Sequence, residues 1–341
     1  MRAVGRPDMD FQVLIGNADV RYFSLGRFAL TSGLQLLAKA PGTSVLLPAF
    51  ICRDLLAAIH AAGYVPVFYP VSDQMEPATA PENWPDAAAV MAVNYFGFPQ
   101  ALEPFRRYCQ RTGACLIEDN AHGLLSRDAA GQLLGTRGDL GIFSLRKTMP
   151  LPDGAALVVN DPTRRSRLEA QLPFDALRRD PSFAIKQRLS KLPLVGNAAV
   201  RFTVAGTRLW RQVRTGSALP NPGSEIETII PGPPNPHAGL LARINSLDVE
   251  RECQRRQSLY AEVDRRLKLL GVRTVFPSLD SRTIPYGIPF FGDNALGARV
   301  NKAIRSLHLE AFRWPELPAA VIDVAPMHYR NVWWVNFLVR S

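Results

Sequence analysis

The sequence predicts an α/β fold in which helices cover both faces of a mainly parallel β-sheet. Helical and strand patterns alternate between residues 25 and 160, which is typical of such a sheet. The run 88–94 is apolar until its last residue, as expected for a strand buried on both faces. Residues 271–341 mix short strands with a helix, which indicates a smaller C-terminal α+β domain.

The elements of the first half follow from apolar periodicity and from the residues that interrupt it. Pro41-Gly42 ends a helix predicted at 28–40, and Gly63 ends one predicted at 52–62. A third helix is predicted at 104–112. Strands are predicted at 44–47, 65–69, 88–94, 115–118, 140–145 and 155–159.

A proline-rich stretch at 231–236 divides the chain. We therefore predict a large domain over residues 1–232, with a basic insertion at about 175–232, and a small C-terminal domain over residues 233–341. The periodicity of the second part predicts one long helix at about 238–270 and another at about 294–307.

Composition narrows the class of protein. The 341 residues include 47% hydrophobic and 21% charged residues, which is ordinary for a soluble globular chain. The four cysteines form no CxxC pair and no metal-ligand spacing, so we expect reduced thiols and no metal site. The N-terminus has no continuous apolar h-region and no apolar run reaches membrane-spanning length, so we expect a cytoplasmic protein without a signal peptide.

The net charge of +10 is concentrated in one segment. Residues 178–214, here called the basic segment, contain nine Lys or Arg residues and one acid. A solvated charged face is the simplest interpretation. The alternatives are a pocket for an anionic substrate or peripheral contact with an anionic membrane. No recognition motif accompanies the charge, which argues against nucleic acid.

The most informative residues are Lys147 and Asp119. Asp119 ends one predicted strand, and Lys147 follows another, so both lie at the carboxyl edge of the sheet, where ligands bind. A lysine amine and a buried carboxylate are the two groups that an enzyme dependent on pyridoxal phosphate must supply, as Schiff-base lysine and as partner of the pyridine nitrogen. Glu118 points the other way along the strand and is interpreted as structural.

The same edge offers groups for a phosphate. The Gly26-Arg27-Phe28 turn leads into a helix whose N-terminal N–H groups suit an anion, and the Ser144 hydroxyl adds a hydrogen bond. Asn94, at another strand end, is a candidate cofactor contact or an ordinary turn former.

The order of segments resembles the DegT/StrS family of sugar aminotransferases dependent on pyridoxal phosphate. The resemblance runs through residues 20–320. The segments that carry it are SLGRFAL (24–30), LLPAF (46–50), AAGYVPVF (61–68), VNYFG (93–97), IEDNAH (117–122), GTRGDLGIFS (135–144) and the lysine at 147.

The resemblance implies the type I aspartate-aminotransferase fold with its seven-stranded type of sheet, and a homodimer. It implies catalytic roles for Lys147, Asp119 and His122, the last near the cofactor ring or its phenolic oxygen. Cys52 stands where the family often has a ring-stacking aromatic residue, and Ser144 lies three residues before the lysine instead of five.

The implied activity is transfer of an amino group from an amino acid such as glutamate to a keto sugar, which is expected to be nucleotide-linked, for polysaccharide or glycoconjugate synthesis. Two alternatives remain open. One is a lyase or dehydratase that uses the same cofactor, although the dehydratases of this kind replace the lysine by histidine. The other is a catalytically silent protein that binds pyridoxal phosphate and regulates or scaffolds such a pathway.

Overall fold

The computed structural model of the chain describes residues 10–149, 151–176 and 223–338. The predicted α/β fold is confirmed, with a seven-stranded sheet flanked by helices and a separate three-stranded antiparallel sheet. The strands are β1 (Asp19–Phe23), β2 (Ser44–Pro48), β3 (Val65–Tyr69), β4 (Ala89–Val93), β5 (Cys115–Asn120), β6 (Leu140–Phe143), β7 (Ala155–Val159), β8 (Gly287–Phe291), β9 (Ala311–Arg313) and β10 (Val332–Asn336). The α-helices are α1 (Phe11–Ile15), α2 (Gly26–Gln35), α3 (Leu56–Ala61), α4 (Glu103–Thr112), α5 (Pro162–Arg165), α6 (Leu240–Asn245), α7 (Val249–Leu269), α8 (Asn294–Ile304), α9 (Ala319–Ile322) and α10 (Met327–Arg330).

The large sheet has the strand order β1-β7-β6-β5-β4-β2-β3. Strands pair in parallel from β3 through to β6, whereas β7 runs antiparallel to both β6 and β1. Six of its strands therefore point the same way, as predicted. The carboxyl ends of β4, β5 and β6 consequently lie side by side at one edge, the place where such sheets bind ligands.

Apolar side chains cover both faces of this sheet. Along β7, Ala155, Leu157 and Val159 join one buried cluster, while Ala156 and Val158 join another. Alternate residues of a strand point to opposite faces, so the two clusters lie on either side of the sheet. A strand buried on both faces is continuously apolar, which is why β7 was recognisable in the sequence.

The C-terminal part shares the main core. Strands β8 and β9 flank β10, and Ile288, Phe290 and Val335 belong to the same buried cluster as Val45 of β2. The boundary between residues 232 and 233 remains a prediction.

Several predicted elements were wrong in extent. The helix predicted at 238–270 is two helices, α6 and α7, because Asp248 leaves the helical conformation and its carboxylate caps α7 by accepting from the Arg251 N–H. The helix predicted to reach residue 40 ends at Gln35, and Ala38 takes a left-handed φ of +50° that a helix does not continue through. Strand β1 was not predicted.

The basic segment, residues 178–214, lies outside the described ranges. Within the described ranges, no helix combines the length and the apolar character needed to cross a membrane.

Gly141 in β6 lies too close to the preceding loop to carry a side chain. A Cβ built there would lie 1.9 Å from the carbonyl oxygen of Gly135, which belongs to the backbone. We expect Gly141→Ala to lower the free energy of unfolding by about 1–3 kcal/mol, measured by urea denaturation. Gly223→Ala is the matched control, because a Cβ at Gly223 meets nothing within 4 Å. Equal stability of the two variants would contradict the predicted clash.

Candidate active site

A cavity of about 150 Å³ opens at the carboxyl edge of β4, β5 and β6. Most of the residues predicted for the site line it: Gly26, Arg27, Cys52, Asn94, Asp119, His122, Ser144 and Lys147. Phe28 does not line it; its side chain packs against the main apolar cluster. The prediction that Phe28 binds the cofactor stays a prediction, and α2 turns the half-buried side chain toward the apolar cluster.

Two consecutive carboxylates of β5 have different surroundings. Glu118 is fully buried and accepts hydrogen bonds from Arg137, whose Nε lies 2.8 Å from Oε1 and whose main-chain N–H lies 3.0 Å from Oε2. The Arg137 side chain is only 5% exposed, so this is a buried ion pair. The next residue, Asp119, lines the cavity. Glu118 is thus structural, as expected, and Asp119 is the carboxylate available to a ligand.

Asn94 uses all of its side-chain hydrogen-bonding capacity within the protein. Its Nδ2 donates to Glu118 Oε1 (2.9 Å) and to Asn120 Oδ1 (3.2 Å). Its Oδ1 accepts from Arg137 Nη2 (2.9 Å) and from the Gln100 N–H (3.0 Å). An amide has two N–H groups and two lone pairs, so the side chain is saturated. Asn94 therefore links the Glu118 side chain to the end of β4 by a hydrogen bond. Contact of Asn94 with a cofactor remains a prediction.

Asp119 is a buried carboxylate with few partners. It is 9% exposed, and its hydrogen bonding to the described residues consists of the Ala121 N–H donating to Oδ1 at 2.9 Å. Burial raises the pKa of Asp119, while the Ala121 N–H and the charge of Lys147 act in the opposite direction. A buried carboxylate is costly unless a cation pairs with it, and a protonated pyridine nitrogen is such a cation.

Lys147 and His122 form a directly bonded pair. Lys147 follows β6 at the end of a 3₁₀ turn (Leu145–Lys147), and its Nζ lies 3.0 Å from His122 Nε2. Burial lowers the pKa of the Lys147 amine, and the neighbouring charge of Arg146 acts in the same direction. Burial also lowers the pKa of His122 well below its usual value, assisted by the charges of Lys147 and Arg256. Both groups are therefore shifted toward their neutral forms.

Aromatic rings enclose His122 on several sides. The ring of Tyr286 stacks on the imidazole with centroids 4.5 Å apart and an interplanar angle of 11°. Trp314 meets it edge-on at 5.5 Å and also lines the cavity. Sequence reasoning missed both residues. Their only available signal was an adjacent proline, Pro285 and Pro315, which marks turns, and turns often carry functional side chains.

Arg256 of α7 binds the main chain at Lys147. It is 1% exposed, and its Nη2 lies 3.3 Å from the Lys147 carbonyl oxygen and 3.4 Å from that of Thr148. Its Nη1 also donates to the Pro285 carbonyl, and its Nε pairs with Glu252 Oε1 at 2.6 Å. Arg256 thus links the lysine turn to the segment that carries Tyr286.

The other end of the cavity suits an anion. Helix α2 begins at Gly26 without a side-chain cap, and Arg27 Nη1 is buried with no hydrogen-bond partner in the described ranges. Arg27 lies 3.7 Å from Asp54. The Ser144 hydroxyl makes no hydrogen bond to a described residue. A Cβ at Gly26 would meet only Ile142, at 3.8 Å, so packing does not require glycine there, whereas close approach of an anion would.

Cys52 lies in the cavity wall as a half-buried free thiol. Burial raises its pKa, and the nearby carboxylate of Asp54 adds to that rise. The thiol is consequently neutral at ordinary pH and contributes an apolar wall.

Comparison with known proteins places this architecture among aminotransferases. Residues 8–179 match the DegT/DnrJ/EryC1/StrS aminotransferase family. Over 162 residues the chain is 33% identical to Protein MosB of Rhizobium meliloti, covering 45% of this chain and 31% of that one. Over 149 residues it is 31% identical to dTDP-4-dehydro-2,3,6-trideoxy-D-glucose 4-aminotransferase of Saccharopolyspora spinosa, covering 42% and 38%. The matched part is thus about a third of the length of these relatives.

The fold also has solved relatives. The crystal structure of an aminotransferase TlmJ from Streptoalloteichus hindustanus superposes with a TM-score of 0.62. The two chains are 21% identical, and the match covers 96% of this chain and 83% of the other. The likeness therefore extends through the C-terminal part, which lies beyond the family match.

The buried ion pair of Glu118 and Arg137 is expected to be essential for stability. Arg137→Met leaves the Glu118 carboxylate buried without its cation, and we expect a loss of about 3–5 kcal/mol in the free energy of unfolding, measured by urea denaturation. Arg107→Met is the control, because Arg107 pairs with Glu82 at 3.7 Å on the surface, and we expect a loss of at most about 1 kcal/mol.

The double variant Glu118→Gln/Arg137→Met separates loss of the charge partner from loss of packing. We expect it to recover part of the stability lost in Arg137→Met, because a neutral amide is cheaper to bury than an unpaired carboxylate. A double variant that is less stable than Arg137→Met would overturn this explanation.

Proposed function

Because this chain belongs to the DegT/DnrJ/EryC1/StrS aminotransferase family, we propose that it is an aminotransferase dependent on pyridoxal phosphate. The amino group would pass from an amino acid, such as glutamate, to a keto sugar. The observation that carries the proposal is the meeting of Lys147 and Asp119 in one cavity at the carboxyl edge of the sheet.

The residues present fit the cofactor in three respects. Asp119 is a buried carboxylate that makes no ion pair with the described residues, although the charge of Lys147 acts on it, and a protonated pyridine nitrogen would be a cationic partner for it. Three features suit a phosphate group: the uncapped start of α2, the Arg27 Nη1, which makes no hydrogen bond to a described residue, and the Ser144 hydroxyl. The Lys147 amine has a lowered pKa, which favours its nucleophilic form.

Pyridoxal phosphate, when bound, supplies an aldehyde that takes up the amino group and a ring that withdraws electrons. Lys147 would hold that aldehyde carbon through Nζ and, once released, move the proton at the α-carbon of the amino acid. Asp119 would keep a proton on the ring nitrogen. Gly26, Arg27 and Ser144 would bind the phosphate, and His122 and Trp314 would enclose the ring and exclude water.

We propose a nucleotide-linked keto sugar as acceptor. The support is the relative from Saccharopolyspora spinosa, whose name states a dTDP-linked keto sugar as substrate. The homodimer implied by the family resemblance and the cytoplasmic location expected from the sequence belong to the same proposal. Light scattering of the purified chain tests the homodimer.

Lys147→Ala is expected to abolish covalent binding of pyridoxal phosphate. The chain with added cofactor should show the visible absorbance band of lysine-bound pyridoxal phosphate, and the variant should lack it. Lys302→Ala, an exposed lysine on α8, is the control and should retain the band. The same band in the Lys147 variant would assign the bound lysine elsewhere.

Addition of glutamate tests the reaction itself. An aminotransferase without acceptor should release about one equivalent of 2-oxoglutarate per chain and lose the visible band. A dTDP-linked 4-keto sugar should then restore the band and yield an amino sugar detected by mass spectrometry. A band that ignores every amino donor would favour a lyase or a silent binder instead.

Asp119→Asn is expected to lower kcat for this half-reaction by about 100-fold or more, because the ring nitrogen loses the carboxylate that keeps it protonated. Asp73→Asn, outside the cavity, is the control. N-methyl pyridoxal phosphate carries a permanent positive charge on the ring and should restore part of the rate in Asp119→Asn. An unchanged kcat in Asp119→Asn, or a lowered kcat that N-methyl pyridoxal phosphate does not restore, would contradict this role of Asp119.

A further inference from the structure

The ring of His122 is fixed in orientation by its surroundings. Tyr286 stacks on one face, and the edge of Trp314 approaches at 5.5 Å. The Phe96 main-chain N–H donates to His122 Nδ1 at 3.2 Å. The imidazole is 5% exposed, so water does not compete effectively for these contacts.

The peptide of Phe96 is itself held in an uncommon conformation. Phe96 has φ +56° and ψ +16°, the left-handed region, which is unfavourable for a residue with a side chain. Two interactions stabilise it. Its carbonyl accepts from the Tyr286 N–H at 2.7 Å, and its ring is fully buried. When the surrounding structure holds a strained residue at a functional site, that residue often positions a neighbouring group, which here is the His122 ring.

A hydrogen bond received at Nδ1 selects one form of the imidazole. A neutral imidazole has one N–H and one lone pair, and the doubly protonated ring has no lone pair. Because Nδ1 accepts from Phe96, its lone pair is occupied and the proton of the neutral ring resides on Nε2. The nitrogen that points to Lys147 is therefore a donor.

The same logic determines the state of Lys147. An ammonium group has three donors and no lone pair, so it cannot accept from an Nε2–H. The 3.0 Å separation of Nε2 and Nζ is a hydrogen bond only if the amine is uncharged. The ring of Tyr286 faces both groups, with its centroid 5.9 Å from Lys147 Nζ. The charged and titratable groups that also act on the pair are Cys52, Asp54, Asp119, Arg146 and Arg256. The two carboxylates oppose a neutral Lys147 amine, whereas burial and Arg146 favour it.

We propose that the Phe96 main-chain N–H is a positioning group that fixes His122 as its Nε2–H tautomer, and that His122 in this form holds the Lys147 amine uncharged before any cofactor binds. His122 is then a hydrogen-bond donor to the cavity and not a general base, because its cavity-facing nitrogen already carries a proton. Proton transfer at this end of the site falls to Lys147. The inference concerns residues of the proposed function but does not require transamination.

Nitrogen-15 NMR of the histidine rings tests the tautomer in the 341-residue chain freed of pyridoxal phosphate. The chain has five histidines, and the signals missing from His122→Gln belong to His122. If that variant does not fold, a variant in which the other four histidines are substituted retains only the signals of His122, which are assigned in that way. We expect a pyridine-type Nδ1 and a pyrrole-type Nε2 at neutral pH. A protonated Nδ1, alone or together with Nε2, would overturn the proposal.

The charge of Lys147 is tested by the pH dependence of its reductive methylation, followed by peptide mass spectrometry in the same cofactor-free chain. Removal of the donor in His122→Phe should move the midpoint upward by about half a pH unit or more, because the hydrogen bond that favours the neutral amine is lost. His122→Gln retains an N–H donor and should keep the midpoint low. Equal midpoints in all three proteins would overturn the role of His122.

Both measurements are made without pyridoxal phosphate and without substrate. A chain that passes them and yet releases no 2-oxoglutarate from glutamate would contradict the proposed function only. A chain that transaminates but has a protonated His122 Nδ1 would contradict this inference only.

Discussion

The site depends on the register of β5. Consecutive residues of a strand face opposite sides, so the burial of Glu118 against Arg137 determines that Asp119 faces the cavity. A slip of one residue would exchange the two carboxylates, leaving Asp119 in the place built for an ion pair. The hydrogen bonds that Glu118 receives from Arg137 and Asn94 therefore specify the site as much as they stabilise the sheet.

The cavity is prepared for a charged ligand through burial. Burial raises the pKa of Asp119 and lowers the pKa of Lys147, so the charged form of each group is less favoured than it is in water. A carboxylate that gains from a cation and an amine shifted toward its nucleophilic form would both serve the proposed cofactor. The uncapped end of α2 would supply the complementary site for an anion.

The C-terminal part completes the site. Tyr286 and Trp314 enclose His122, and Arg256 binds the main-chain carbonyl of Lys147. Arg256 is separated from Lys147 by 109 positions, and Tyr286 and Trp314 lie still farther along the chain from His122, so no local pattern links these residues. The three-stranded sheet and α7 thus act on the chemistry as well as on stability.

The sequence by itself determined the α/β class and most of the buried strands. It also determined that Lys147, Asp119, His122 and Ser144 meet at one edge of the sheet, because the carboxyl ends of parallel strands lie side by side. It did not determine the break between α6 and α7, the packing of Phe28 against the main apolar cluster or the saturation of the hydrogen bonds of Asn94. Those features depend on long-range partners. The tautomer of His122 was likewise decided only by tertiary structure. The Phe96 N–H donates to His122 because Phe96 adopts a left-handed conformation, and no local sequence pattern predicts that conformation.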